Sequence, residues 1–367
     1  MQWDNFLKKN LEPIIPYQPG LREEQVLEIA QSEKIYKLSS NESPFAPFPT
    51  ALAAMAEAMT GLNEYPDGSS DKLIHALAEH YQVPTEQLIL GNGSNELLDL
   101  IAQTCLLPGD EVLYCWPSFV VYRSSAQVSG AVYTELPLAA DSGFDLPGLL
   151  AAVTPRTKIV YICSPNNPTG VAVGARELTG FLAALPKQVL VILDVAYEEF
   201  MTDDVSARAL DYFDGVSPVV VLKTFSKIYA LAGIRVGYGF APAPLVEAVN
   251  KVRAPFNVNS LAQVAAQASL NDQAELKRRC QINQSGRQRL YAGLDALGLD
   301  YSPSQANFVW VRVKDAQKAF TGLLKRGVIV RPFASAEAFT SGLRVTIGND
   351  EAIDATIAAF AEVLQAD

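Results

Sequence analysis

Histidine and cysteine are both scarce in this chain of 367 residues, with two of the first and four of the second. Cys105, Cys115, Cys163 and Cys280 form no CxxC pair, and two histidines cannot complete a cysteine-rich zinc site with them, so no metal is expected. His75 and His80 stand five residues apart in a helical pattern from Asp71 to Tyr81, which misses the i, i+4 spacing of two metal ligands on one helix face. Ordinary surface or packing roles suit both, and any proton carrier here is expected to be another residue type. No run approaches the ~18 apolar residues of a membrane span. The segment Met1-Gln2-Trp3-Asp4-Asn5 carries an acid and no apolar signal core, so a reduced, cytoplasmic protein without a membrane partner is expected. Positive charge is also in deficit: Lys+Arg is 29 against Asp+Glu 40, a net charge of −11 with a pI near 4.8. Such a chain repels a phosphate backbone, which argues against nucleic-acid binding. Any anion site must be built locally, from a few placed cations and backbone N–H groups.

What the chain has is globular composition, 49% apolar and 19% charged. Its length calls for two subdomains or one large α/β unit. A short β-branched or apolar run, a turn rich in Gly, Asn or Pro, and a helical pattern recur in that order. Gln87 to Leu90, Lys158 to Cys163, Val189 to Leu193 and Val219 to Leu222 are four such runs. This alternation predicts parallel βαβ units, whose ligands sit beyond the carboxyl ends of the strands. The last third differs: long helical patterns over about Ser260 to Leu297, then strand-like runs at Asn307 to Val313 and Leu343 to Ile347, predict a smaller α+β domain. The expected division is an N-terminal arm over 1–45, Pro-rich and joining the small domain, a large domain over 46–255 and a small C-terminal domain over 256–367.

The turns after the runs carry the chemistry. Gly91-Asn92-Gly93-Ser94-Asn95-Glu96 precedes an apolar helix expected over Leu97 to Leu107. Glycines let a backbone approach an anion, and a helix start offers free N–H groups. Glu96 in place of a third glycine rules out a dinucleotide fingerprint, and the missing Gly-Lys-Ser/Thr ending rules out a Walker loop. An ordinary strand-to-helix turn explains the segment about equally well. Ser164-Pro165-Asn166-Asn167-Pro168-Thr169-Gly170 is a stiff turn that aims an amide toward a crevice, or a plain tight turn. Asp194 ends a run of five apolar residues, and burying it is costly unless it meets a positive partner; a helix N-cap is the alternative. Lys227, in Lys223-Thr224-Phe225-Ser226-Lys227, lies among hydroxyl and apolar residues that can desolvate an amine and make it nucleophilic, and Arg235 follows eight residues on. Together these turns offer a phosphate cradle, a phenol (Tyr197) and amide, an acid for a ring N–H⁺ and an amine for an aldehyde. That is the set pyridoxal phosphate requires.

The segments Asn41-Glu42-Ser43-Pro44, Tyr65-Pro66-Asp67-Gly68, Gly91-Asn92-Gly93-Ser94, Pro165-Asn166-Asn167-Pro168-Thr169-Gly170, Thr224-Phe225-Ser226-Lys227 and Leu231-Ala232-Gly233-Ile234-Arg235-Val236-Gly237-Tyr238 occur in the order seen in fold-type I aminotransferases. From about Leu11 to the C-terminus the chain resembles that family, and within it the histidinol-phosphate aminotransferases. The resemblance implies an α/β fold with a mostly parallel central sheet flanked by helices, plus a smaller α+β domain. It implies that Lys227 forms the Schiff base with pyridoxal phosphate and shuttles the proton, that Asp194 keeps the ring nitrogen protonated, and that Asn167 and Tyr197 bond the ring oxygen. Thr224, Ser226, Arg235 and the N–H groups at Ser94 and Asn95 would hold the phosphate, and Phe119 would stack on the ring. Tyr65 would reach the cofactor of a neighbouring subunit, implying a homodimer with shared sites. Arg344 matches the family's anion-binding arginine. A phosphate monoester is better met by two arginines than one, so Arg331, in Val330-Arg331-Pro332-Phe333, is expected to assist it, with a hydroxyl from Tyr17.

The chain departs from the family pattern at Val195, where an acid is common, at Phe119, often tyrosine, and at Ser43, often asparagine. None of these removes a charge the chemistry requires. The expected reaction is transamination of L-histidinol phosphate with 2-oxoglutarate, small-molecule partners both. An aromatic amino-acid aminotransferase and a threonine-phosphate decarboxylase-like lyase share nearly every cofactor contact and stay open as alternatives. A regulator built on this domain would need an added DNA-binding module, for which the ~45 residues before the body leave little room.

Overall fold

A computed structural model describes residues 6–16, 20, 21, 23–333 and 341–365. Strand β1, Tyr36–Lys37, comes first. A seven-stranded sheet then follows from β2 (Leu88–Gly91), β3 (Glu111–Trp116), β4 (Val132–Pro137), β5 (Thr157–Cys163), β6 (Leu190–Asp194), β7 (Val219–Thr224) and β8 (Gly237–Phe240), in the order β2-β8-β7-β6-β5-β3-β4. The four runs read from the sequence are β2, β5, β6 and β7. Pairing is parallel from β7 through β4, and β8 runs antiparallel to both of its neighbours. Helices cover both faces, which is why the central strands are continuous apolar runs rather than alternating ones: every residue of β7 and all but the first of β6 are buried.

The C-terminal body contains β9 (Tyr301–Ser302), β10 (Phe308–Arg312), β11 (Val328–Ile329), β12 (Arg331–Phe333) and β13 (Gly342–Thr346), with an antiparallel sheet of order β12-β13-β10-β9. Strand β1 pairs in parallel with β11, Tyr36 opposite Val328, and Leu38 enters the apolar core of this body. The helix Ser260–Asn271 packs on Pro49–Ala58, and its Ala262, Ala265, Ala266 and Leu270 belong to the larger core. The next helix, Gln273–Ala296, places Leu290 and Leu294 in the smaller core. We therefore propose that the boundary between the two bodies runs along that long helix, later than 255/256. Among the described residues no helix is long and apolar enough to cross a membrane, and no cluster of His, Cys, Asp or Glu could hold a metal ion. All four cysteines are free, and His75 and His80 are exposed on their helix.

Candidate active site

The carboxyl ends of β2, β5, β6 and β7 meet β12 and β13 around a cavity of about 390 Å³. All of the expected site residues line it except Tyr65 and Tyr17. Tyr65 is exposed and stacks on Phe256, ring centroids 4.8 Å apart, away from the cavity. Tyr17 lies outside the described residues.

At the end of β2 the helix begins at Ser94, three residues earlier than expected, and stops at Cys105, where Leu106 turns to extended backbone. The first-turn N–H groups of Ser94 and Asn95 thus have no helical acceptor and are available to an anion. Glycine is required on both sides of this cradle. Gly93 has φ +83°, and a Cβ there would lie 2.5 Å from Arg235 Nη2; a Cβ on Gly237 would collide with the backbone nitrogen of Ser94. Arg235 itself sits in the left-handed region, φ +60°, with Nη1 donating to the Ala232 carbonyl at 3.1 Å. This uncommon backbone for a side-chain-bearing residue turns the guanidinium back over Gly93. Thr224 donates its hydroxyl to Ser226 Oγ at 3.0 Å and accepts from the Ser226 backbone N–H at 3.1 Å, which presents both hydroxyls at the end of β7.

Asp194 is the last residue of β6 and not a helix N-cap; the short 3₁₀ turn that follows, Glu198–Phe200, has Tyr197 at that position. Its carboxylate is buried, 3% exposed. Oδ2 accepts from the Tyr122 hydroxyl at 2.8 Å, whereas Oδ1 is buried without a hydrogen-bond partner. Burial raises its pKa to about 6, against the opposing pull of Tyr122, the Ala196 N–H and Lys227. Lys227 directly follows Ser226, its Nζ donating to the Ser40 carbonyl at 3.3 Å and lying 5.6 Å from the centre of the Tyr197 ring. Burial, then the positive field of Arg344, lowers its amine to about 8. A neutral, nucleophilic amine is accessible near neutral pH on that account.

Tyr197 is held from an unexpected direction: Asn41 Nδ2 donates to its hydroxyl at 3.0 Å, and Asn41 Oδ1 accepts from Thr346 Oγ1 at 3.2 Å. Burial keeps the phenol protonated, with its own hydrogen available to the cavity. Arg344 is buried, Nη1 bonded to Asn167 Oδ1 and Nη2 to the Ser39 carbonyl. Arg331 stands directly opposite Arg344 in the β12–β13 register. Opposed residues of an antiparallel pair share a face, so both guanidiniums border the same cavity. Half-buried Phe119 lines it from the other side.

Sequence reasoning assigned no role to Asn41 or Tyr122. Asn41 carries one signal, its place in Asn41-Glu42-Ser43-Pro44. Tyr122 carries one too, an aromatic three residues after Phe119 at the start of the helix Val121–Ser129.

The family model for class I and II aminotransferases matches residues 33–360. A histidinol-phosphate aminotransferase of Moorella thermoacetica is 43% identical over 353 residues, 96% of this chain and 91% of that protein. One from Methylobacillus flagellatus is 41% identical, covering 98% and 97%. Among solved structures, histidinol-phosphate aminotransferase from Sinorhizobium meliloti in complex with pyridoxal-5'-phosphate superposes with a TM-score of 0.88 at 30% identity, over 98% of this chain and 99% of that one.

The residues present fit that cofactor on two grounds of the structure itself. The donor-free oxygen of Asp194 suits a ring N–H⁺, and the cradle closed by Gly93 and Gly237 leaves room for an anion that any Cβ would take.

Proposed function

The chain belongs to the class I and II aminotransferases, and from that premise we propose that it transfers the amino group of L-histidinol phosphate to 2-oxoglutarate, giving imidazole acetol phosphate and glutamate, a step of histidine biosynthesis. The names of the relatives favour neither the aromatic amino-acid nor the decarboxylase alternative. Pyridoxal phosphate is the cofactor; when bound it withdraws electrons from the substrate Cα.

In this reading Lys227 anchors the cofactor, then removes the proton at the substrate Cα, a task suited to an amine titrating near 8. Asp194 holds the proton on the ring nitrogen by offering a buried negative charge at Oδ1. Asn167 and Tyr197 bond the ring oxygen, and Phe119 packs against the ring face. Ser94, Asn95, Thr224, Ser226 and Arg235 hold the cofactor phosphate. Arg344 and Arg331 hold the substrate phosphate, with Tyr17 as a further hydroxyl donor.

One observation carries the choice of substrate. Arg331 and Arg344 face each other across two antiparallel strands at the cavity wall. Like charges directly opposite destabilise a strand pair, and a phosphate dianion between them reverses the sign of that interaction.

The active assembly is a homodimer with shared sites, a reading supported by Tyr65, which is 83% exposed and turned from its own chain's cavity. We place the activity in the cytoplasm, where four unpaired cysteines are at home.

Titration of the yellow holoenzyme with histidinol phosphate, phenylalanine and threonine phosphate tests the reaction. Histidinol phosphate is expected to convert the bound cofactor to its amino form at the lowest concentration. Preference for phenylalanine, or release of carbon dioxide from threonine phosphate, refutes it.

A further inference from the structure

Tyr122 is fully buried in the first turn of the helix Val121–Ser129 and lies outside the cavity lining, so it is not placed to touch a molecule held there. It nonetheless contacts two residues that do so in the reading above. Its hydroxyl donates to Asp194 Oδ2 at 2.8 Å, and its ring meets Phe119 edge-on, centroids 5.8 Å apart at 83°. The ring is locked from behind by Tyr161, stacked at 4.5 Å and 7°, and by Tyr114, edge-on at 5.7 Å. Such a clamp leaves the phenol one rotamer and its hydroxyl one direction.

We infer that Tyr122 is a positioning residue for the transamination: it fixes Asp194 by one oxygen so that the other faces the ring nitrogen, and it sets Phe119 against the ring face. The inference rests on the functional reading above. A phenol suits the task where a cation does not. Burial and the neighbouring carboxylate hold Tyr122 well above its ordinary pKa, so it donates a hydrogen bond as a neutral group. The carboxylate is oriented while its full charge is left for the ring N–H⁺. The other titratable groups around Asp194 do not compete near neutrality. Cys163, its register partner on β5, is pushed up to about 12 by burial, and Tyr161 and Tyr197 are raised by burial as well. Lys227, at about 8, is the charged group that faces it.

Three variants, Tyr122→Phe, Tyr161→Phe and Asp194→Asn, separate the possibilities. The readouts are the dissociation constant for pyridoxal phosphate added to apoprotein between pH 5 and 8, the kcat and KM for histidinol phosphate, and the apoprotein melting temperature. Tyr122→Phe is expected to weaken cofactor binding about 10–100-fold at neutral pH, the scale of one hydrogen bond to a charged group. Its kcat should fall with little change in KM, and the acid limb of cofactor affinity should move to higher pH. Tyr161→Phe should match wild type in cofactor affinity, kcat, KM and pH limb, with a melting temperature equal or higher, because its hydroxyl is buried without a hydrogen-bond partner. Wild-type affinity and pH limb in Tyr122→Phe, or equal losses in Tyr161→Phe, overturn the inference. If Asp194→Asn also behaves as wild type, the site reading itself fails; if Asp194→Asn is crippled and Tyr122→Phe is not, the inference alone fails. Should Tyr122→Phe not fold, 3-fluorotyrosine at position 122 serves. It keeps the ring and strengthens the donor, so the acid limb should move to lower pH, and an unmoved limb overturns the inference.

Discussion

Arg331→Gln should separate substrate recognition from stability. Arg344 is buried and already committed through both terminal nitrogens, to Asn167 and to the Ser39 carbonyl, so it is rigidly aimed and has limited capacity to spare. Arg331, opposite it on β12, is half-buried and borders the cavity. A carboxylate is matched bidentately by one guanidinium, whereas a phosphate monoester approaching −2 leaves oxygens for a second. Removing Arg331 deletes about one charge-assisted hydrogen bond, worth ~1.5–3 kcal/mol, which predicts a ~10–100-fold loss of kcat/KM for histidinol phosphate. Phenylalanine, with one carboxylate on Arg344, should lose less. The folded chain should not suffer: two like charges directly opposite cost roughly 0.2–1 kcal/mol, so apoprotein stability should hold to within about 1 kcal/mol or improve. Steady-state rates with both donors and thermal melts of the apoprotein supply the two measurements. Equal losses for both donors, or a wild-type preference for phenylalanine, would refute the two-arginine argument and move the chain toward aromatic substrates.

Lys227→Ala should lower turnover by at least ~10²–10⁴-fold, the scale of a general base, while the cofactor is still held non-covalently; near-normal rates would remove Lys227 from its role. The same residue predicts a pH effect on the apoprotein. Its amine titrates near 8 when folded against 10.5 as a free side chain, so the unfolded chain binds more protons between those values. Wild-type stability should therefore gain a rising contribution across that window, and the gain should vanish in Lys227→Ala when melts at pH 7.5 and 10 are compared. Asp194→Asn should fold normally, since an amide fits the same space, yet lose a buried ion pair worth ~3–5 kcal/mol with the cofactor and with it about 10²–10⁴-fold in kcat. Wild-type kinetics in that variant would contradict the assignment. Tyr65→Phe should weaken cofactor retention, and an inactive Tyr65 variant mixed with inactive Lys227→Ala should regain activity, because a mixed dimer restores one whole site. Demonstrated subunit exchange without recovery would exclude a role in trans.

Much of this site was legible from contiguous residues, because the information is local. An apolar β-branched run reads as a buried strand, and Gly, Asn and Pro read as the turn after it. Hence β2, β5, β6 and β7 and the turns after them, with Ser94, Asn167, Asp194 and Lys227, stood out as candidates from order and spacing, and the family resemblance supplied their expected roles. What lay beyond reach depends on contacts between distant segments. Strand β8 is four residues, half of them glycine, and its reversed direction follows from pairing between β2 and β7 rather than from its own composition. That pairing is what presses Gly237 onto the Ser94 nitrogen and closes the anion cradle. The bond from Asn41 to Tyr197 spans 156 residues, and that from Tyr122 to Asp194 spans 72. Arg331 and Arg344 are thirteen residues apart in the chain, and their meeting is a matter of strand register. A one-residue slip would send one of them to the other face of the sheet. Residue types and local backbone preferences specify which groups are available. Their distances and hydrogen-bond partners are set by packing, because a side chain's direction depends on every element it is buried against.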